Sequence, residues 1–132
     1  RDRFKARQVN LISGYRESTG DTVESNHTRG RAVDFMIPGK KLAAVAYYAK
    51  TLGHVGVGFY PTSGFIHLDV RDGPSFFWVD RSGPGRASCL VRIQSEFAAK
   101  MDRRWKPRSD KPRRHKNKKG RPLGALDTKK AL

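Results

Sequence analysis

The segment SNHTRGRAVDF, Ser25 to Phe35, decides how the chain is read. One histidine, His27, stands seven residues before one aspartate, Asp34, with the small residues Gly30 and Ala32 between them. The segment leaves a polar stretch and enters AVDFMI (Ala32–Ile37), which reads as a β-strand stopped by Pro38 and Gly39. Side chains alternate across a strand, so Ala32 falls on the same face as Asp34 and leaves room beside it. Gly30 permits a tight turn with no Cβ in the way. A plain loop-to-strand junction has no need of that arrangement, whereas an imidazole and a carboxylate brought to one metal ion do.

Working outward, QVNLIS (Gln8–Ser13) alternates apolar and polar residues and reads as a strand ending at Gly14. Residues 14–31 form a long polar loop, and loops of that length are often functional. KKLAAVAYYAKTLG (Lys40–Gly53) reads as a helix with Leu42, Val45, Ala46, Ala49 and Leu52 on one apolar stripe and Gly53 as its C-cap. VGVGFY (Val55–Tyr60) and GFIHLDV (Gly64–Val70) read as strands joined by a turn at PTSG, and SFFWVD (Ser75–Asp80) as a further strand. VRIQSEFAAKMDRRW (Val91–Trp105) is predicted as a second helix, with Ile93, Phe97 and Met101 on one face. These elements imply an α+β domain over residues 1–105: a small, mostly antiparallel sheet with one or two packed helices.

Charge separates this domain from the C-terminal stretch. The chain of 132 residues carries a formal net charge of +16, and 14 of its 28 Lys and Arg lie in residues 96–132. Residues 106–132 are rich in Pro, Lys and Arg, lack the apolar content to build a core, and are expected to be a disordered basic tail. Such a tail attracts polyanions without specificity, whether nucleic acid, anionic lipid or cell-wall polymer. No run of apolar residues is long enough for a transmembrane helix. The chain starts at Arg1 rather than Met, which fits a processed or trimmed product. The single cysteine, Cys89, excludes an intrachain disulfide framework and is expected to be a small packed residue.

A third candidate ligand is His67 in GFIHLDV. A catalytic zinc takes three protein ligands and keeps one open position, and two imidazoles with one carboxylate meet that need. Along the later strand, Phe65, His67 and Asp69 share one face, while Ile66, Leu68 and Val70 share the other and would face the core. His54 reads as a surface residue at a helix end, Tyr60 as packing or a cleft wall, and Phe76, Phe77 and Trp78 as core.

SNHTRGRAVD resembles the S-x-H-x-x-G-x-A-x-D motif of the LAS-type zinc peptidases. That superfamily takes in D-Ala-D-Ala metallocarboxypeptidases, L-alanyl-D-glutamate endolysins and murein endopeptidases, and shares its fold with the amino-terminal domain of hedgehog proteins. LISGYRES, GVGFYPTSGFIHLDVRD and FFWVD are most similar to the murein endopeptidase K-like branch, so the resemblance runs in order over roughly residues 8–80. It implies zinc held by His27, Asp34 and His67, with Arg16 and Ser25 contacting substrate. It also implies hydrolysis of amide bonds in peptidoglycan stem peptides or cross-links, in the bacterial cell envelope; a monomer is expected. Zinc polarises the carbonyl and acidifies water, and Arg16 stabilises the developing oxyanion. Many relatives carry an acidic base three positions before the last histidine; here that residue is Gly64. Asp69 is the first candidate to replace it, and its competing role is to orient the His67 imidazole. The alternatives to a peptidase are a zinc-stabilised binding module without turnover and a basic nucleic-acid binder whose histidines are incidental.

Overall fold

A computed structural model describes residues 2–17 and 25–107 of the chain. Six strands form one sheet: β1 (Asn10–Ser13), β2 (Ala32–Met36), β3 (Val55–Tyr60), β4 (Phe65–Val70), β5 (Phe76–Asp80) and β6 (Leu90–Ile93). Two helices, α1 (Leu42–Lys50) and α2 (Ser95–Arg104), complete the α+β domain. The strand order is β1-β2-β4-β3-β5-β6. Every neighbouring pair is antiparallel except β3 and β5, which run parallel. The β3–β4 hairpin closes through Gly64, whose amide donates to the Tyr60 carbonyl at 2.8 Å and whose φ of 79° suits glycine.

The two faces of the sheet differ. Val57, Ile66 and Phe77 point to one side and are fully buried with Val45, Ala46 and Ala49 of α1 and Ala98 of α2. This is the hydrophobic core, and burying a side chain such as Phe77 contributes roughly 1.5–3 kcal/mol. The opposite face carries His67, Asp69, Trp78 and Asp34, so the sheet presents polar chemistry on the side away from the helices.

Four sequence expectations change. Of Phe76, Phe77 and Trp78, all read as core, only Phe77 joins the core cluster, because alternation along β5 turns Phe76 and Trp78 to the face away from the helices. The second helix does not start at Val91: residues 90–93 form β6 on the far edge of the sheet, and α2 starts at Ser95. Between them Gln94 takes a left-handed conformation (φ 52°), which turns the chain out of the strand. Ile93 still packs against the core, as Phe97 does, so the apolar spacing ran unbroken across two elements. Leu52 and Val70 are exposed, because α1 ends before Leu52 and Val70 closes an outer strand end. Cys89 is exposed rather than packed. The tail expected over residues 106–132 and part of the long loop lie outside the described residues, apart from exposed Lys106 and Pro107. No helix among the described residues is long and apolar enough to cross a membrane.

Candidate metal centre

Strand register brings two of the three candidate ligands together. Asp34 on β2 is the direct cross-strand partner of His67 on β4, and directly opposed side chains on one face lie within reach of each other. The His67 Nδ1 stands 2.9 Å from the Asp34 Oδ1. His27 arrives from the turn before β2. There the Arg31 amide donates to the Asn26 carbonyl at 2.8 Å and Gly30 adopts a φ of 67°. This turn carries the His27 Nε2 to 3.4 Å from the Asp34 Oδ1 and 3.2 Å from the His67 Nδ1.

These separations of 2.9, 3.2 and 3.4 Å test whether the residues fit a metal. A tetrahedral zinc with bonds of ~2.0–2.1 Å to nitrogen and oxygen has ligand–ligand edges of about 3.3–3.4 Å. The three donors already stand close to those edges. Their outer partners fix the tautomers. The His27 Nδ1–H donates to the Gly14 carbonyl at 2.9 Å, and the His67 Nε2–H donates to the Asp69 Oδ2 at 3.0 Å. Both remaining ring nitrogens therefore turn their lone pairs toward the same point as a carboxylate oxygen. Two lone pairs and an anion facing one another call for a cation between them. The residues fit.

Asp69 supports this arrangement from behind. Its side chain is almost wholly buried and both oxygens are occupied. Oδ1 accepts from the Arg71 Nε at 2.7 Å and the Gly56 amide at 3.1 Å, and Oδ2 accepts from His67 and a terminal nitrogen of Arg71. Burial opposes ionisation of this carboxyl, but hydrogen bonds from His67 and Arg71 and the arginine charge outweigh it, so its pKa falls far below the usual carboxylate range. For His67, burial again opposes charge, and the carboxylates of Asp34 and Asp69 outweigh it and raise the imidazole pKa.

Glycine makes room for this support. Gly56 and Gly58 alternate on β3 on the site side. A Cβ at Gly56 would collide with the Asp69 carboxylate, and one at Gly58 would lie 2.5 Å from the Trp78 indole. Trp78, buried, packs against the His67 ring with centroids 5.2 Å apart and donates Nε1–H to the Tyr60 hydroxyl at 3.0 Å. Sequence reasoning did not select Gly56, Gly58, Arg71 or Trp78 for the site; the alternating glycines of VGVG were the available signal.

Arg16 lies at the rim. Its guanidinium is 58% exposed, 3.4 Å from the Asp34 Oδ2, and its Nε–H donates to the Ser13 hydroxyl at 2.9 Å. Ser25 is exposed, and its hydroxyl accepts from the Thr28 amide at 3.4 Å, closing the turn that leads to His27. Gly64, where relatives keep an acidic residue, sits in the left-handed hairpin position, which disfavours any side chain there. His54 is half-buried, with its ring 5.1 Å from Trp105 and its Nδ1 at the Gly73 carbonyl, away from the candidate ligands. Tyr60 is half-buried and stacked on Phe65 at 4.4 Å. A cleft of about 300 Å³ beside the candidate ligands is lined by Asn26, Arg29, Arg31, Val70, Arg71 and Asp72, and two of its three arginines carry a countercharge, Arg31 in Asp72 at 2.6 Å and Arg71 in Asp69 at 2.7 Å. A larger cleft of about 510 Å³, between α1 and the N-terminal segment, shares no residue with the cluster.

The chain is 40% identical over 81 residues to the probable peptidoglycan L,D-endopeptidase MepK of Haemophilus influenzae, covering 54% of this chain and 42% of that protein. It is also 40% identical over 80 residues to the peptidoglycan L,D-endopeptidase MepK of Escherichia coli (strain K12), covering 53% and 43%. The chain thus spans about two fifths of the length of these curated relatives. No solved structure matches. Residues 3–78, which contain the Ser25–Asp34 motif, His67 and Asp69, match one family profile over more than half of the chain, and the chain belongs to that family, the peptidases described as peptidoglycan L,D-endopeptidase MepK.

Proposed function

We propose that this chain hydrolyses an amide bond in peptidoglycan stem peptides or cross-links, with zinc held by His27, Asp34 and His67. The observation that carries the reading is the convergence of three donor atoms at tetrahedral-edge spacing on the side of the sheet away from the helices. Family membership supports zinc and a peptidase reaction, and the relatives' names supply the substrate class. When bound, zinc supplies Lewis-acid polarisation of the scissile carbonyl and makes water acidic enough to attack at neutral pH. The protein's own residues do the rest. Asp69 holds the His67 tautomer and raises its basicity, a positioning role the geometry favours over that of general base, because both its oxygens are engaged. Arg16, permanently charged and at the rim, is placed to attract the developing negative charge on the carbonyl oxygen. Ser25 shapes the turn before His27 and presents its hydroxyl to an incoming peptide.

In this reading residues 1–105 are the zinc peptidase-like domain, and residues 106–132 are a basic segment held to polyanions by charge, with an affinity that falls as salt rises. The substrate places the protein in the bacterial cell envelope, periplasmic or secreted. A second reading, a zinc-dependent cell-wall binding module, draws on one observation: the position three before His67 is Gly64.

The experiment is digestion of purified sacculi. Zinc-loaded protein should release peptides carrying new termini, a chelator should stop release, and added zinc should restore it. Zinc-dependent retention on sacculi with no product at excess protein would reject hydrolysis in favour of the binding module.

A further inference from the structure

Beyond the metal ligands, the site side of the sheet continues in a row of register partners: His67, Gly58, Trp78 and Arg92. The row crosses from β4 through β3 and β5 to β6, three strand spacings, or about 14 Å. Beside this row, on β5, two guanidiniums approach one ring, that of Phe76. The Arg92 Cζ lies 5.0 Å from the Phe76 centroid and the Arg71 Cζ lies 5.5 Å from it. Arg71 has its countercharge in Asp69. Arg92, exposed, has no carboxylate partner among the described residues. Contact with the Phe76 ring restrains the exposed Arg92 side chain without using its N–H donors, and a guanidinium takes a carboxylate through two parallel hydrogen bonds. The neighbouring Arg71 and, along the same flank, Arg31 are paired with Asp69 and Asp72, so neither carboxylate is left to compensate the Arg92 charge.

We propose that Arg92, stacked on Phe76, is a specificity residue that anchors a carboxylate of the substrate peptide. The proposal rests on the peptidase reading, which places the scissile amide at His27, Asp34 and His67. The Arg92 guanidinium lies back over Phe76 on β5, about two to three strand spacings from His67, so in an extended peptide advancing ~3.3–3.6 Å per residue a carboxylate about three to four residues from that amide reaches it. Peptides carrying a free carboxylate at that distance are selected over amidated ones. Arg92 lies beyond residues 3–78 that match the family, so this preference belongs to the chain's own β6.

The test uses zinc-loaded full-length chain, wild type, R92A and R92K. The probes are soluble stem peptides released from sacculi by glycan digestion, and the same peptides after carbodiimide amidation with methylamine. Initial rates give KM and kcat, and equilibrium titration gives Kd. Amidation should raise the wild-type KM. R92A should raise KM on native peptides about tenfold, as expected for one charge-assisted contact, with kcat within about twofold. On amidated peptides R92A should change KM less than about twofold, so the cycle isolates the Arg92–carboxylate coupling, and R92K should fall between R92A and wild type. An R92A effect equal on both peptide sets, absent from both, or matched by an equal loss of heparin binding would overturn the anchor. Arg92-dependent binding with no product from wild type would reject hydrolysis and keep the anchor, whereas undiminished cleavage by R92A would do the reverse.

Discussion

His27 Nε2 and His67 Nδ1 face each other 3.2 Å apart, and the outer nitrogen of each ring is already hydrogen-bonded, to Gly14 and to Asp69. Neither inner nitrogen has a proton to offer the other when both rings are neutral. The Asp34 carboxylate beside them adds a third lone pair and a negative charge. Protein purified without added metal and then given zinc should hold one ion per chain, and His27→Ala should hold none at the same free zinc. Because the ion binds the folded state alone, zinc at a hundredfold excess over its Kd should raise the melting temperature by roughly 10 °C. Elemental mass spectrometry and a thermal melt read both effects. An unchanged melt, with no ion retained, would remove the metal centre from consideration.

Asp69 supplies the prediction that separates its two roles. As a positioning residue it sets the His67 tautomer, so Asp69→Asn should weaken zinc binding about 10- to 100-fold in a chelator competition. Asp69→Ala should cost more in stability, because it also strips the Gly56 amide of its acceptor and leaves the half-buried Arg71 without its countercharge. If Asp69→Asn keeps full zinc affinity while turnover disappears, Asp69 is the base and the positioning role is wrong.

Asp34 was legible in the sequence as a candidate ligand because strand alternation fixes which side chains share a face, and His27 because of its spacing from Asp34. His67 and Asp69 also followed from alternation, and the structure joins them through a 3.0 Å hydrogen bond. Hidden from the sequence was what depends on register between distant strands. Nothing in SFFWVD says that Trp78 lies over Gly58 and against His67, since that contact requires β5 to run parallel to β3. The division of residues 90–104 was hidden for a different reason. Ile93 and Phe97 keep helical spacing, and the break between them lies in the backbone angles of Gln94, a residue with no strong preference for ending either element.

Gly58 gives a steric prediction. Its backbone angles are ordinary for any residue, so the only obstacle to a side chain is the Trp78 indole, 2.5 Å from where a Cβ would stand. Gly58→Ala should destabilise the domain by about 1–3 kcal/mol through overpacking. It should also weaken zinc retention by displacing Trp78 from the His67 ring. Combining it with Trp78→Phe, which trims the part of the indole that collides, should cost less than the two single changes added together. Gly73→Ala, where a Cβ meets nothing within 4 Å, is the control and should stay within about 0.5 kcal/mol of wild type. Additive losses in the chemical denaturation series would mean that Gly58 is needed for some reason other than the indole.

Asp80 ties the segment after β5 back to the sheet, and its acidity makes that tie pH-dependent. The Ser82 and Ser88 hydroxyls and the Ser82 and Cys89 amides donate to its carboxylate. Together they hold its pKa down to about 2, the Ser82 hydroxyl contributing most. A carboxyl whose folded pKa lies below its unfolded value of ~3.9 stabilises the fold fully above that value. The contribution shrinks as pH falls below ~3.9 and is gone once pH passes the folded value of about 2. Asp80→Asn presents a carbonyl to the same donors but has no proton to gain. Melting temperatures measured from pH 5 to pH 2 should therefore fall more steeply for wild type than for Asp80→Asn, with the two curves converging at the acid end. Parallel curves over that window would show that the carboxylate's charge contributes nothing to holding β5 and residues 81–89 together.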